Sequence, residues 1–329
     1  MLIAISCLVL TTTVMGQNRS RTSPPQGAPS LLSSLPESDA IAQVKLNRLL
    51  SDVVPRVLAN NPSKLAEVNA SIDRFKTKTG LDPRSFDQIA FGFRYTYPAE
   101  GITKVVTAAL AQGTFSAGAM VAAGRLAANG KYREEKYAGK SVYIFKIDES
   151  VRLFGVLNLK LRELAASPVE TNVLAIGDPV SVRSVIDAAA GRKLNNMELI
   201  ALATRDPNAI IGFGGNVSPQ LIKNLDLGNA SFAGDLSGLR QAYGSVNANE
   251  RDLELFIGAK TVDADAAKNL GDTLEGLKQF GALFVGRLTG AKGVLAKSAL
   301  TNLKIVTAAN ELQIRTAVAQ SDIGPLVGN

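Results

Sequence analysis

The longest regular pattern of apolar and polar positions runs over residues 263–302. Leu270, Leu274, Leu277, Gly281, Phe284, Leu288, Ala291 and Leu295 recur at steps of four and three, the spacing of one helical stripe. No proline interrupts it. Asp263 and Asp265 lead, and Arg287, Lys292 and Lys297 follow, the order that a helix dipole favours. A straight helix of this length would reach roughly 57 Å, so a break is expected at Gly290 or Gly293. The segment is expected to back a sheet.

Shorter patterns fill the rest of the chain. Residues 40–46 alternate as a half-buried strand, and Asn47 stands where it could cap a helix beginning at Arg48. A helix follows over 63–79, with Gly80 as its C-cap. Strands are expected over 89–97 and 103–114, joined by a turn at 98–101, and then an Ala-rich helix over 116–129. Residues 132–137 and 141–147 read as a hairpin, 151–167 show no clear period, and 172–177 form a short strand before a helix opened by Asp178-Pro179. After Gly191 the pattern restarts. Asn208-Ala-Ile-Ile before Asn216-Val-Ser-Pro echoes Asp39-Ala-Ile-Ala before Asn47, and a strand at 252–261 and a hairpin at 303–318 complete the second round. The expectation is an α+β fold: antiparallel sheets backed by helices on one face. It has two related β-α-β-β-α-β-like halves, 35–201 and 202–329, with one long helix near 263–302.

The first sixteen residues are apolar and uncharged, and Val14-Met15-Gly16 suits a cleavage site, so 1–16 reads as a signal peptide; the alternative is an uncleaved anchor. Residues 17–34, rich in Ser and Pro, are expected to be a disordered tether. The single cysteine, Cys7, falls inside the signal. The protein is therefore expected to be exported, periplasmic or extracellular, without disulfides and without a transmembrane helix after cleavage. Its net charge is +7, but the bases are scattered among acids, so nucleic acid is not an expected partner.

The chain has no histidine, which removes the usual general base and the commonest metal ligand together. There is no Gly-x-Ser-x-Gly elbow and no Ser-x-x-Lys dyad. Asp263 and Asp265 read as capping residues rather than a calcium loop, and Asp148-Glu149 makes no such loop either. Glu134 and Glu135 are adjacent on one strand and point to opposite faces. Gly139-Lys140-Ser141 sits between strands, where a phosphate loop would need a helix. Gly212-Phe-Gly-Gly215 lacks dinucleotide spacing and reads as a closely packed strand. No catalytic residue, cofactor or metal is expected. Five of the six tyrosines, Tyr95, Tyr97, Tyr132, Tyr137 and Tyr143, fall in one stretch and are the candidate binding surface.

Leu35-Pro-Glu-Ser-Asp-Ala40, Gly80-Leu-Asp-Pro83, Tyr137-Ala-Gly-Lys-Ser-Val-Tyr143 and the closing hairpin together resemble a group of uncharacterised exported bacterial proteins, a domain of unknown function. The resemblance covers most of 35–319 and implies no activity. The reading that results is an exported, non-catalytic binding or structural protein of the cell envelope, with an envelope component or another protein as partner. The alternatives are an extracytoplasmic hydrolase working through carboxylate, Lys or Tyr chemistry, and a carrier of an apolar ligand.

Overall fold

The computed structural model describes residues 31–79, 82–153, 157–191, 197–224 and 234–326. The signal expected over 1–16, most of the tether and the Gly80 cap lie outside them. Twelve strands form one open antiparallel sheet: β1 (Ala40–Val44), β2 (Phe86–Ala99), β3 (Ile102–Gly113), β4 (Tyr132–Tyr137), β5 (Lys140–Leu153), β6 (Leu157–Glu170), β7 (Val173–Gly177), β8 (Ile211–Asn216), β9 (Leu239–Ala248), β10 (Asp252–Thr261), β11 (Lys304–Ala308) and β12 (Glu311–Ala319). Their spatial order is β11-β12-β10-β9-β8-β1-β2-β3-β7-β6-β5-β4. Each half contributes a run of neighbours, and the runs meet where β1 pairs with β8, Ala40 opposite Gly215 and Val44 opposite Ile211. The fold is α+β as expected, but there is one sheet.

Helices cover both faces, not one. The strands show why: Leu110, Ala165, Val173 and Ala175 belong to one core, while Ala111, Ala166 and Leu174 belong to another. Apolar residues at successive positions send side chains to opposite faces, so each face needs a cover. On one face lie α4 (Pro179–Ala189) and α5 (Met197–Ala203), through Val182, Val185, Ile186, Leu199 and Leu202. Leu31–Ser34, the end of the expected tether, joins them as a 3-10 turn with Leu31 and Leu32 buried. Two apolar residues in tandem gave that turn enough surface to bury.

The other face carries three groups. The first is α1, built from Leu46–Arg48, a π turn Leu49–Val53 and Val54–Val57, with Val53 packed on Ile210 and Ala248. Pro55 supplies no N–H, and the widened turn lies just before it. Asn47 lies inside this helix, not at its cap. It is followed by α2 (Pro62–Thr79). The second group is α3 (Ala117–Ala127), with Met120 and Val121 on Phe86 and Leu174. After β8 comes the short α6 (Pro219–Lys223).

The third group is the 263–302 segment, which is two helices: α7 (Ala264–Val285) and α8 (Gly290–Thr301). The break falls at 286–289, just before the glycines expected to cause it, and Gly290 opens α8 with φ +67°. Asp263 caps α7 by accepting from Ala266 N at 2.8 Å. The chain ends with α9 (Gln320–Ile323) and a 3-10 turn. Among the described residues no helix is long and apolar enough to cross a membrane.

The glycine run of β8 has a packing cause. A Cβ at Gly212 would lie 2.1 Å from Ala203 O, and one at Gly214 would lie 2.7 Å from Leu202 Cβ. The α5 backbone rests directly on β8, which only glycine permits. The Ala138-Gly139 turn between β4 and β5 is a tight hairpin with both residues at positive φ, 47° and 79°.

Candidate functional site

The five tyrosines expected to form one surface occupy three places. Tyr132 and Tyr143 share a face of β4 and β5, and Arg125 of α3 lies over both rings at 5.3 and 5.2 Å. Tyr137 projects from the opposite face, packs on the core and donates to Asp187 Oδ2 at 2.7 Å. These three therefore serve helix packing.

Tyr95 and Tyr97 stay together. The β2–β3 hairpin extends beyond the start of β1, and β8 ends beside it, so a cleft of about 520 Å³ opens between the two halves. Tyr95 and Tyr97 line it with Asp39, Asn216, Gln241 and Lys260. Its groups are tied down: Asp39 Oδ2 accepts from Tyr95 N at 2.7 Å, Gln241 Nε2 donates to Asn216 Oδ1 at 3.1 Å, and Lys260 Nζ reaches Glu198 Oε1 at 3.4 Å. Burial, and then the charge of Asp39, push the Tyr95 phenol above its ordinary range.

The strongest surface feature is on α7 and α8. The first turns of α7 are anchored on the sheet: Leu270 is buried with Ala259 and Leu312, and Leu274 packs beside them. Beyond Leu274 the stripe leaves the sheet. Leu277, Phe280, Leu283, Phe284 and Leu288 are between 47 and 71% exposed, and Val294 of α8 is 54% exposed. The Phe280 and Phe284 rings meet at 4.7 Å, and Arg287 stands over Phe284 at 5.5 Å. From Gly276 to Thr301 the hairpin has no Asp or Glu, and four bases: Arg287, Lys292 and Lys297, and Lys278, which pairs with Glu275 at 3.4 Å. α8 folds back, with Leu300 3.8 Å from the place a Cβ on Gly281 would take. The result is a helical hairpin with an apolar end in a basic setting. Its signal in the sequence was the stripe itself; nothing in the spacing told where the sheet beneath it stops.

Acid chemistry finds little footing. Among the described residues no three of His, Cys, Asp or Glu gather where a metal could be held. The carboxylates displaced from their ordinary range, Glu67, Asp82, Glu134, Glu163 and Glu311, are all lowered. Lys64 hydrogen-bonds Glu67, Lys76 hydrogen-bonds Asp82 and Arg133 hydrogen-bonds Glu163. A general acid needs the opposite displacement. Glu134 and Glu135 do point apart: Glu135 takes Arg183 of α4, and Glu134 takes Lys136 at 3.3 Å.

No family model matches the sequence, and no curated protein matches it. Among solved structures, crystal form III of TP0453 is similar, with a TM-score of 0.51 and 8% sequence identity over 92% of this chain and 99% of that one. Crystal form I of TP0453 gives 0.47 and 10% over 91% and 97%. The first likeness is one of fold: an α+β chain that follows the same path over nearly its whole length.

Proposed function

We propose that this is a non-catalytic binding protein of the cell envelope that docks on an anionic lipid surface through the free end of the α7–α8 hairpin. The observation that carries the reading is the exposed cluster Leu277, Phe280, Leu283, Phe284 and Leu288. Contiguous apolar surface of this kind on a protein marks an interaction site. The occupant follows from charge. Beyond Glu275 the hairpin carries Lys278, Arg287, Lys292 and Lys297 and no acid, the composition of a helix that lies in a lipid interface. Each base held near an anionic leaflet adds about 1 kcal/mol. The apolar opening segment and the resemblance to exported bacterial proteins support the envelope as the place.

Sedimentation with vesicles tests the reading. The protein is expected to pellet with phosphatidylglycerol vesicles and not with phosphatidylcholine vesicles. The double variant Phe280→Ser, Phe284→Ser should stay in the supernatant, and added salt should weaken binding of the parent. Equal pelleting of parent and variant would overturn the reading. So would a concentration-dependent dimer, abolished by the same variant, in a protein that ignores vesicles.

A further inference from the structure

A second concavity, away from the hairpin end, carries unpaired groups of both signs. It is a trough of about 680 Å³ between the loop after α5, the strands β9, β10 and β12, and the end of α8. That volume is in the range of small-molecule sites. Its floor is Phe256, with Arg315 Cζ 4.6 Å and Arg205 Cζ 5.7 Å from the ring.

At one end, Lys304 of β11 stands directly opposite Arg315 of β12. Like charges in that position repel and cost stability. Arg205 is committed to Tyr243 and Glu311, but Lys304 and Arg315 form no ion pair with any described carboxylate. The one hydrogen bond of the Arg315 guanidinium goes to Gln313 Oε1 at 3.4 Å. A lysine on an edge strand discourages edge pairing, but that role asks nothing of Arg315 and nothing of the other end of the trough.

At the other end, Asn247 Oδ1 is buried and accepts no hydrogen bond. The amide is not reversed, because its Nδ2 donates to Asp206 Oδ2, and a flip would set two oxygens against each other. A buried acceptor left unmet destabilises the fold that holds it. Asp206 also lies here, held only by the amide donors Asn208 N and Asn247 Nδ2, while Glu254, which accepts from Asn249 Nδ2, stands on β10 between the two ends, opposite Asn247 and diagonal to Arg315. This end calls for a donor, and it repels an anion.

We propose that the trough binds a small amphoteric molecule, with its carboxylate or phosphate on Lys304 and Arg315 and an amine or amide N–H on Asn247 Oδ1. Phe256 offers an apolar wall for the body between them.

Calorimetric titration with two probes separates the anion types: the dipeptide Ala-Ala, which carries a carboxylate and an amine, and glucosamine 6-phosphate, which carries a phosphate and an amine. Inorganic phosphate serves as the anion alone. One amphoteric probe is expected to bind, at least about tenfold more tightly than inorganic phosphate. Arg315→Gln and Lys304→Gln should each weaken it about tenfold, and Arg315→Lys should retain most of it. Both glutamine variants sit on outer strands, and circular dichroism checks that they fold. Asn247→Ala should bring the amphoteric probe down to the level of phosphate. The Phe280→Ser, Phe284→Ser protein should bind the probe unchanged, which separates this site from lipid docking. Binding of neither probe, equal binding by the glutamine variants, or phosphate binding as tightly as the amphoteric probe would each overturn the proposal.

Discussion

Tyr97 and Ser218 meet at 2.6 Å between their hydroxyl oxygens, and so tie the β2–β3 hairpin of the first half to the start of α6 in the second. Ser218 also caps α6 by accepting from Leu221 N at 3.1 Å. Two further links flank the pair, Asn224 Nδ2 to Thr103 Oγ1 at 3.0 Å and Lys223 Nζ to Glu100 Oε1 at 2.8 Å. Tyr97→Phe leaves the cap in place and removes one part-buried hydrogen bond, so it should cost about 1 kcal/mol. Lys223→Ala breaks an ion pair that is mostly in water and should change stability by less than about 0.5 kcal/mol. Urea midpoints of the two variants decide; a larger loss for Lys223→Ala would reverse this ranking.

The two ends of α7 should answer differently to loss of a leucine side chain. Leu270 is 2% exposed within a packed cluster, and Leu270→Ala should cost about 2–5 kcal/mol. Leu283 is 71% exposed, and Leu283→Ser should stay within about 0.5 kcal/mol of the parent while raising solubility. A large stability loss at Leu283 would mean that the hairpin end is covered in the free protein.

Gly258 faces Tyr243 across the β10–β9 pair, and a Cβ there would lie 2.1 Å from the ring carbon Cζ. Tyr243 is fully buried and cannot yield without disturbing Phe256, 5.8 Å away. Gly258→Ala should therefore cost about 1–3 kcal/mol through overpacking. The chain has no tryptophan, so tyrosine emission reports the unfolding directly.

Stability should fall at both ends of the pH range through one contact. Burial first, and then the hydrogen bond to Glu311, push the Tyr243 phenol up to about 12 from 10.0. A raised pKa in the folded state means a contribution fully present below pH 10.0 and lost as the pH climbs toward about 12. For Glu311, burial acts to raise the pKa. The bonds from Tyr243 and from Gln313 Nε2 at 2.7 Å outweigh it and hold the carboxyl below its ordinary value of 4.5. That contribution is present above pH 4.5 and disappears as acid protonates the folded form. Denaturant titrations across pH should show both limbs, and Tyr243→Phe should flatten the alkaline one. An unchanged alkaline limb in that variant would assign it elsewhere.

The elements with strong local signals were legible. The β2–β3 hairpin, the Ala-rich α3, the β4–β5 turn and α4 after Asp178 all follow from period, composition and turn residues. Several elements were not read, among them β6, most of which falls in the aperiodic 151–167, β9 and α5. β9 carries Gly244 and a polar opening, Arg240-Gln241, which hide its alternation. Its place is fixed instead by pairing with β8 and β10. α5 has seven residues, too few to show a helical stripe, and its position depends on the glycines of β8. The tyrosines misled for a different reason. Their nearness along the chain hid the fact that β3, β7 and β6 stand between β2 and β5 in the sheet. The trough joins Lys304 and Arg315 of the closing hairpin to Asn247 of β9, and no local pattern could bring that third residue to the other two.

The seam between β1 and β8 bears on the order of events at the ribosome and after it. β1 can pair with β2 early, but its other edge has no partner until Gly215 and its neighbours have emerged. Until then the first half shows a bare strand edge and the apolar side chains that α5 will shield, the kind of species that aggregates. Late closure of a distant pair is also slow. A chain kept unfolded by a holdase until its second half is complete would escape that trap, whereas one released halfway would be drawn to pair with its own kind.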